Sequence, residues 1–285
     1  MSRPVTSLGV VGGGFMGAGI AEAAAVSGIP VVLRELPDCL DATRRRLDKS
    51  LNRAHERGKL STVERDAALA RVTVTSELSD VADAEIVIEA LPEDAELKIS
   101  IMKELGGIVG DDAVIASNTS SIPIAHLASA VHNANRVVGL HFFSPVPVMA
   151  LVEVVRALDT SDETIDTAHT FVEQLGKRAI ETQDRSGFIV NFLLIPYLMA
   201  AVRMYADDFA TREDIDEGMK LGAGHPMGPL ALCDFIGLDV LQAVCDSLYE
   251  EFKRDEYAPP PLMKRMIAAG RLGRKSGRGF YEYPA

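Results

Sequence analysis

The sequence predicts an α/β protein with a mostly parallel sheet and helices on both faces, followed by an all-α domain. In the first half, short apolar runs rich in Val and Ile alternate with longer polar segments of helical spacing, as in βαβ units. After residue 187 the strand-like runs stop and apolar residues recur at helical spacing. This change at residues 184–187 assigns residues 1–185 to the first domain and residues 186–285 to the second.

Each element is predicted from its pattern and from the turn residues that flank it. Strands are expected at Leu8–Val11, Val31–Leu33, Val72–Val74, Ile86–Ile88, Val114–Ala116, Val137–Leu140, Leu151–Val155 and Arg178–Glu181. Helices of the first domain are expected at Leu40–Glu56, Asp94–Leu105 and Ser161–Leu175, besides one that begins near Ala18. Helices of the second domain are expected at Phe188–Tyr205, Arg212–Leu221, Leu238–Phe252 and Leu262–Ala269, where Thr211 and Asp214 resemble a capping box.

Charge and cysteine content exclude several classes of function. The chain of 285 residues has a net charge of −12, which argues against nucleic acid or an anionic membrane as a partner. Its three cysteines form no C-x-x-C pair, so neither a metal site nor a disulfide framework is expected. The apolar segment Phe188–Val202 is shorter than the roughly 20 residues of a membrane span, and no signal peptide is expected. A reduced, cytoplasmic setting follows from these features.

A glycine-rich turn follows the first predicted strand. Gly12, Gly14 and Gly17 form the pattern G-x-G-x-x-G, with Phe15 and Met16 in the variable positions. The first glycine permits a tight turn, the second lets a pyrophosphate approach the backbone, and the third lets helix and strand pack closely. Because a strand precedes the pattern and a helix follows it, it predicts a Rossmann-type dinucleotide site. FAD uses the same fingerprint, so the pattern alone leaves NAD and FAD open.

The residue that ends the second strand indicates which nucleotide binds. Glu35 lies 18 residues beyond Gly17, close to the expected spacing of about 20 for an acid that accepts hydrogen bonds from ribose hydroxyls. A carboxylate there would repel a 2′-phosphate, so NAD(H) is favoured over NADP(H). Arg34 is the counter-evidence, since an adjacent arginine can hold that phosphate.

A histidine and a glutamate are the first catalytic candidates. His141 ends a predicted strand, and ligands of open α/β sheets bind beyond the carboxyl ends of strands. Glu153 interrupts an otherwise apolar strand twelve residues later, and a buried carboxylate needs a partner. If the strands are neighbours, the two form a His–Glu dyad in which the carboxylate fixes the imidazole tautomer. A purely structural ion pair is the alternative.

Two polar features accompany the predicted crevice. The segment 117–121 (Ser-Asn-Thr-Ser-Ser) follows a strand and can point several hydrogen-bond donors into it, or can simply cap the next helix. Asn191 interrupts an apolar helix and needs hydrogen-bond partners, which are either a substrate or the local backbone.

Together these motifs resemble the 3-hydroxyacyl-CoA dehydrogenase family, in particular its short bacterial members that act on 3-hydroxybutyryl-CoA. The resemblance covers nearly the whole chain and implies a Rossmann-type domain followed by a helical domain that carries substrate contacts and dimerises. The matching stretches are Gly12–Ala21, Val87–Ala90, Ala116–Ser121, Gly139–Phe143, Gly187–Asn191, Met219–Pro229 and Gly273–Tyr281.

The resemblance implies a role for each candidate. His141 is expected to be the general base in oxidation and the acid in reduction, with Glu153 as its partner. Ser120 and Asn191 are expected to hydrogen-bond the reacting 3-oxygen or its surroundings. The positions that match residues lining the nicotinamide–ribose side are Glu93, Lys98 and Asn118.

The resemblance also implies where the carrier of the substrate binds. Ser50 falls in a segment similar to the one that meets the CoA nucleotide. Arg53, Arg57 and Lys59 follow it and form a basic patch on an acidic protein, although a solvated helix face would look the same.

Three positions depart from the family pattern. Ser144 stands where Asn is usual, so that a hydrogen bond near the thioester or His141 is lost or passes through water. Ala150 replaces a frequent Lys, and Phe192 replaces a frequent Arg. The positions expected to meet substrate are Ser50, Arg53, Arg57, Ser120, Ser144 and Asn191.

The expected reaction is hydride transfer between NAD(H) and C3 of a short-chain (S)-3-hydroxyacyl-CoA, with 3-hydroxybutyryl-CoA and acetoacetyl-CoA as the pair. A related enzyme class oxidises a glyceryl group on acyl carrier protein in polyketide extender-unit synthesis, and it is the alternative. A non-catalytic protein that retains an NAD-binding fold is a third hypothesis. A homodimer is expected.

Overall fold

A computed structural model describes residues 3–284 of the chain. These divide into two compact units, the first ending at Arg185 and the second beginning at Ser186. The first unit contains the sheet and the second is helical.

The first unit is built on one eight-stranded sheet. Its strands are β1 (Leu8–Val11), β2 (Val31–Arg34), β3 (Val72–Thr75), β4 (Ile86–Glu89), β5 (Val114–Ser117), β6 (Val137–Phe142), β7 (Leu151–Arg156) and β8 (Arg178–Gln183). They lie in the order β3-β2-β1-β4-β5-β6-β7-β8, and all neighbours are parallel except the antiparallel pair β6–β7. The order β3-β2-β1-β4-β5-β6 is that of the Rossmann fold. All eight predicted strands are present, most of them one or two residues longer than predicted.

Helices cover both faces of this sheet, as predicted. They are α1 (Phe15–Val26), α2 (Leu40–Glu56), α3 (Thr62–Ala70), α4 (Ala95–Ile108), α5 (Ile124–Ala128) and α6 (Asp162–Gln174). One face of the strands packs with α1, α2 and α6 in a single apolar core. The opposite face, which includes the fully buried Val87 and Ile115, is covered by α4 and α5. Apolar residues at consecutive strand positions are therefore explained by burial on both faces.

The second unit consists of five helices around an apolar core of its own. They are α7 (Val190–Ala206), α8 (Arg212–Ala223), α9 (Pro229–Ile236), α10 (Leu238–Phe252) and α11 (Pro261–Ala268). Helices α3 and α9 were not predicted from the sequence, and no bounds were predicted for α5. The start of α3 carries the clearest capping box, in which Ser61 and Glu64 exchange hydrogen bonds. Thr211 does cap α8, but the Asp214 carboxylate accepts from the Thr211 hydroxyl at 2.6 Å.

Two buried aspartates hold the C-terminal segment to the second unit. Asp216 accepts hydrogen bonds from the first turn of α9 and from the Tyr281 hydroxyl. Asp234 accepts from the backbone N–H groups of Phe280 and Tyr281 and from the Tyr283 hydroxyl. Burial raises the pKa of Asp234, although these donors oppose the shift. Within residues 3–284, no helix is long and apolar enough to cross a membrane.

Candidate active site

The glycine-rich turn joins β1 to α1 and leaves room for a ligand against its backbone. Gly12 has a left-handed φ of +107°, and a Cβ there would lie 2.7 Å from the carbonyl oxygen of Ala90. A Cβ on Gly17 would lie 1.8 Å from the Gly12 carbonyl oxygen. Neither position can carry a side chain. Around Gly14, by contrast, the space is open for 4 Å, so a phosphate can approach the N-terminus of α1 there.

The acid at the end of β2 lies beside this turn. One Glu35 carboxylate oxygen accepts from the N–H of Gly13 at 2.8 Å, and the other accepts from the N–H of Leu36 at 2.7 Å. The Arg34 guanidinium instead donates to the carbonyl oxygen of Ser76 at 3.2 Å. The carboxylate is thus held at the turn by backbone donors, while the arginine is anchored to the segment that follows β3.

A buried ion pair lies where β4 and β5 end. Glu89 is 0% exposed and accepts from the ammonium of Lys98 at 2.7 Å, from the Leu91 N–H at 2.6 Å and from the Ser117 hydroxyl at 2.6 Å. Lys98 is 1% exposed and also donates to the Leu91 carbonyl oxygen at 3.1 Å. The pair closes the gap between the two strand ends with charges that satisfy each other.

Glu93 extends this network to the segment that follows β5. One of its oxygens lies 3.4 Å from the Lys98 ammonium. The other accepts from the hydroxyls of Thr119 (2.6 Å) and Ser121 (2.8 Å) and from the N–H of Ser120 (3.0 Å). Burial raises the pKa of Glu93, but Lys98 and these donors outweigh it, so the pKa lies below its ordinary value. Glu93 is therefore a carboxylate at neutral pH, and Lys98 lies behind it rather than at the surface.

Asn118 ties the end of β5 to β6. Its side-chain oxygen accepts from the N–H of Phe142 at 3.0 Å, and its own N–H donates to the Glu89 carbonyl oxygen at 2.8 Å. Ser120 lies two residues further along the chain, at the edge of the sheet, and is half-buried. The segment 117–121 therefore holds two neighbouring strand ends together and presents Ser120 beside Glu93.

His141 and Glu153 face each other across the antiparallel pair β6–β7. The strand register pairs them directly, and the His141 Nδ1 lies 2.6 Å from a Glu153 carboxylate oxygen. Glu153 is 0% exposed, and the His141 ring packs against Phe143 with ring centroids 4.6 Å apart. Because a carboxylate only accepts, Nδ1 donates in this contact, and the ring nitrogen that faces away from Glu153 is Nε2. The contact expected from the sequence is present.

A basic cavity of about 310 Å³ lies on the outer side of α1 and α2. Ser50, Arg53, Arg57 and Lys59 all line it, so the residues that the resemblance assigns to the side of the carrier nucleotide share one cavity. Its apolar side is formed by the segment 145–148, which follows β6. A second cavity of about 310 Å³ adjoins it and shares Ser50 and Arg53.

The departures from the family pattern have different surroundings. Ser144 and Ala150 are exposed, at either end of a loop that Lys177 holds by donating to two of its carbonyl oxygens. Asn191 and Phe192 belong to the second unit, in the first turn of α7, and both are half-buried. The Phe192 ring packs against Phe252 and Tyr257, with centroids 5.4 and 5.7 Å apart, which accounts for an aromatic residue at that position.

Two buried acids of the first unit, Glu89 and Glu22, are not among the site residues predicted from the sequence. Glu89 ends the apolar strand β4, whereas Glu153 lies inside β7, but the argument that a buried carboxylate needs a partner applies to both positions. Glu22 lies among alanines in the buried helix α1, and an acid within an Ala-rich helix gives no comparable signal.

Comparison with known families covers both units. The first family description, "3-hydroxyacyl-CoA dehydrogenase, NAD binding domain", matches residues 7–185, and the second, its C-terminal domain, matches residues 187–283. The chain belongs to the 3-hydroxyacyl-CoA dehydrogenase family. The family's NAD-binding domain thus coincides with the unit that contains the glycine turn and the His141–Glu153 pair, and NAD is the family's cofactor.

Individual members of the 3-hydroxyacyl-CoA dehydrogenase family are similar over the full length. The 3-hydroxybutyryl-CoA dehydrogenase of Mycobacterium tuberculosis is 50% identical, covering 99% of this chain and 100% of that protein. The human mitochondrial hydroxyacyl-coenzyme A dehydrogenase is 39% identical, covering 96% of this chain and 90% of that protein. The crystal structure of (S)-3-hydroxybutyryl-CoA dehydrogenase from Ralstonia eutropha matches with a TM-score of 0.94 at 46% identity, covering 99% of this chain and 100% of that one.

Proposed function

We propose that this protein transfers a hydride between NAD(H) and C3 of a short-chain (S)-3-hydroxyacyl-CoA or the matching 3-oxoacyl-CoA. We expect 3-hydroxybutyryl-CoA and acetoacetyl-CoA to be the substrate and product, because similar proteins are 3-hydroxybutyryl-CoA dehydrogenases. The observation that carries the proposal is the buried His141–Glu153 pair at the same edge of the sheet as the glycine turn. An acid–base group next to a dinucleotide site is what oxidation of an alcohol requires.

His141 moves the proton of the reaction. In oxidation, the O–H bond of the 3-hydroxyl breaks and its proton passes to Nε2 of His141, as C3 gives up its hydrogen as a hydride. Glu153 holds the proton on Nδ1, so that Nε2 is the basic nitrogen, and it stabilises the imidazolium that forms. In reduction each bond change is reversed, and His141 acts as the acid. NAD, when bound, supplies or accepts the hydride at C4 of its nicotinamide.

The remaining candidates orient the reactants. The glycine turn, with Phe15 and Met16, holds the pyrophosphate, and Glu35 accepts from the ribose hydroxyls. The family resemblance assigns Ser120 and Asn191 to hydrogen bonds with the reacting 3-oxygen or its surroundings. Glu93 and Asn118 line the nicotinamide–ribose side, and Lys98 supports them through Glu93.

The carrier of the acyl group would bind in the basic cavity on α1 and α2. Ser50, Arg53 and Arg57 are suited to the phosphates of a CoA nucleotide, and Ser144 lies in the loop between that cavity and His141. A carrier protein that presents a glyceryl group is the second candidate, because the same basic side chains would attract the acidic surface of such a partner.

The proposal also includes the oligomeric state of the protein and its location in the cell. The second unit exposes large apolar side chains, among them Leu193, Phe209 and Leu221, and we expect it to form a homodimer. The cysteines Cys39, Cys233 and Cys245 are free thiols, which suits a cytoplasmic enzyme. Light scattering would check the dimer.

The decisive experiment follows NADH oxidation with acetoacetyl-CoA as substrate. Rapid turnover with NADH, and much slower turnover with NADPH, is the expected result. Turnover only with a glyceryl group on a carrier protein would transfer the assignment to the second candidate. NADH binding without turnover on either substrate would contradict both.

A further inference from the structure

The two cavities on the outer side of α1 and α2 share one unusual residue, Glu22. It projects from α1, is only 3% exposed and lines both cavities. Among the residues that the structure describes as lining them, every other ionisable side chain is basic. These are Arg46, Lys49, Arg53, Arg57, Lys59 and Lys177.

Burial of Glu22 disfavours the charged form of its carboxyl group. Burial raises the pKa of Glu22, and a hydrogen bond with the Ser50 hydroxyl only partly opposes that shift. Lysine and arginine side chains reach the cavities from α2, from the segment that follows α2, and from the turn before β8. Strands β1–β3 and helix α3, which pack against α1, contribute no charged side chain to the described lining.

We propose that Glu22 takes up a proton when the anionic nucleotide of CoA occupies this cavity, and that its ionised form weakens the binding. This inference rests on the proposed function, because it takes CoA as the ligand of the cavity. In this proposal Glu22 controls the affinity for the CoA carrier, whereas other residues act on the acyl chain.

The physical reason is repulsion inside a partly buried site. The CoA phosphates are attracted to the basic side chains that line the cavity. Each phosphate also repels the ionised carboxylate of Glu22. Protonation of Glu22 removes that repulsion, so the balanced step is uptake of one proton from solvent for each CoA bound, with no other bond changed. Because burial holds the pKa of Glu22 above its ordinary value of 4.5, the coupling acts in a range above pH 4.5. Affinity for CoA should therefore rise as pH falls through that range.

Calorimetric titration of free CoA into wild type and E22Q, between pH 5 and 7.5, tests the inference. Titration in two buffers of different ionisation enthalpy counts the protons taken up. We expect wild type to take up more protons than E22Q, and its Kd to change about three- to tenfold more over this range. Free CoA titrates identically in both experiments, so the difference between the two proteins reports the proton uptake that depends on Glu22.

Identical proton uptake and identical pH dependence in the two proteins would overturn the inference. If E22Q does not fold, E22A gives the same comparison, because alanine suits an α1 rich in alanine. NADH affinity serves as the internal control and should not differ between wild type and either variant.

The variant R57A separates this inference from the proposed function. If R57A weakens CoA binding while E22Q retains the wild-type pH profile, only the role of Glu22 fails. If R57A leaves the Kd for CoA unchanged, the cavity is not the carrier site and that part of the proposed function fails with the inference.

Discussion

The buried acids at the carboxyl edge of the sheet and the buried acid of the basic cavity are held in opposite ways. Glu89 and Glu153 are each matched by a side chain that can carry positive charge. Lys98 of α4 lies 2.7 Å from Glu89, and His141 of β6 lies 2.6 Å from Glu153. Glu22 contacts a hydroxyl, and its basic neighbours line the surrounding cavity instead. Glu89 and Glu153 hold their partner side chains in place, so loss of either pair should lower stability or activity strongly. The unmatched acid keeps its proton exchangeable, so its loss should alter binding and pH dependence but not folding.

The largest effect is expected where a matched acid serves proton transfer. H141Q should lower kcat for acetoacetyl-CoA by about 10²–10⁴-fold, because a positioned acid–base group contributes that much. The Kd for NADH, measured by fluorescence, should stay within about twofold. H126Q, which changes an exposed histidine of α5, is the matched control and should leave kcat unchanged. Retention of most activity by H141Q would remove His141 from the mechanism.

The next effect tests whether the Glu89–Lys98 pair is structural. K98M leaves Glu89 buried without its cation, so the free energy of unfolding should fall by about 3–5 kcal/mol. Urea denaturation measures it, with K103M on the exposed side of α4 as a control expected to lie within about 0.5 kcal/mol of wild type. A loss below about 1 kcal/mol in K98M would show that the sheet edge tolerates an unmatched acid.

A smaller effect is expected at the glycine turn. E35Q removes the charge that repels a 2′-phosphate, so the ratio of kcat/KM for NADH to that for NADPH should fall about tenfold, or about 1.4 kcal/mol. D38N changes an exposed acid three residues further on and should leave the ratio unchanged. An unaltered ratio in E35Q would mean that another group selects the cofactor.

The smallest effect concerns stability at Glu22. Its pKa is raised in the folded protein, so the stability it contributes is complete below its ordinary pKa of 4.5 and is lost as pH rises through the folded value. E22Q should therefore raise the Tm by about 1–3 °C at pH 7.5, with little gain at pH 4.5. Scanning calorimetry at both pH values checks this. A lower Tm for E22Q at pH 7.5 would contradict the view that Glu22 is unmatched.

Much of the sheet edge could be predicted because its signals are local. Gly12, Gly14 and Gly17 identify a turn by themselves, and Glu153 is conspicuous in an apolar strand. That β6 and β7 are neighbours was only a condition of the predicted dyad, and the structure shows this pairing. The signals for α3 and α9 were also present, in the Ser61–Glu64 box and in a proline at the first residue of α9, but both helices are short.

The rest depends on contacts between residues distant in sequence. Lys98 lies between Glu89 and Glu93 only because α4 packs against the strand ends, so the sequence could not show that its ammonium is buried. The cavity at Glu22 is formed by α1, α2 and the loops before β7 and β8. No periodicity in any one of these segments indicates that their side chains meet.

A double-mutant cycle on kcat tests the central claim, that His141 and Glu153 act as one proton-transferring unit. Turnover of acetoacetyl-CoA with NADH is measured for H141Q, E153Q and the double variant. If Glu153 acts through His141, the double variant should have a kcat within about threefold of that of H141Q alone. If the two losses multiply instead, Glu153 acts independently of His141 and the dyad is contradicted.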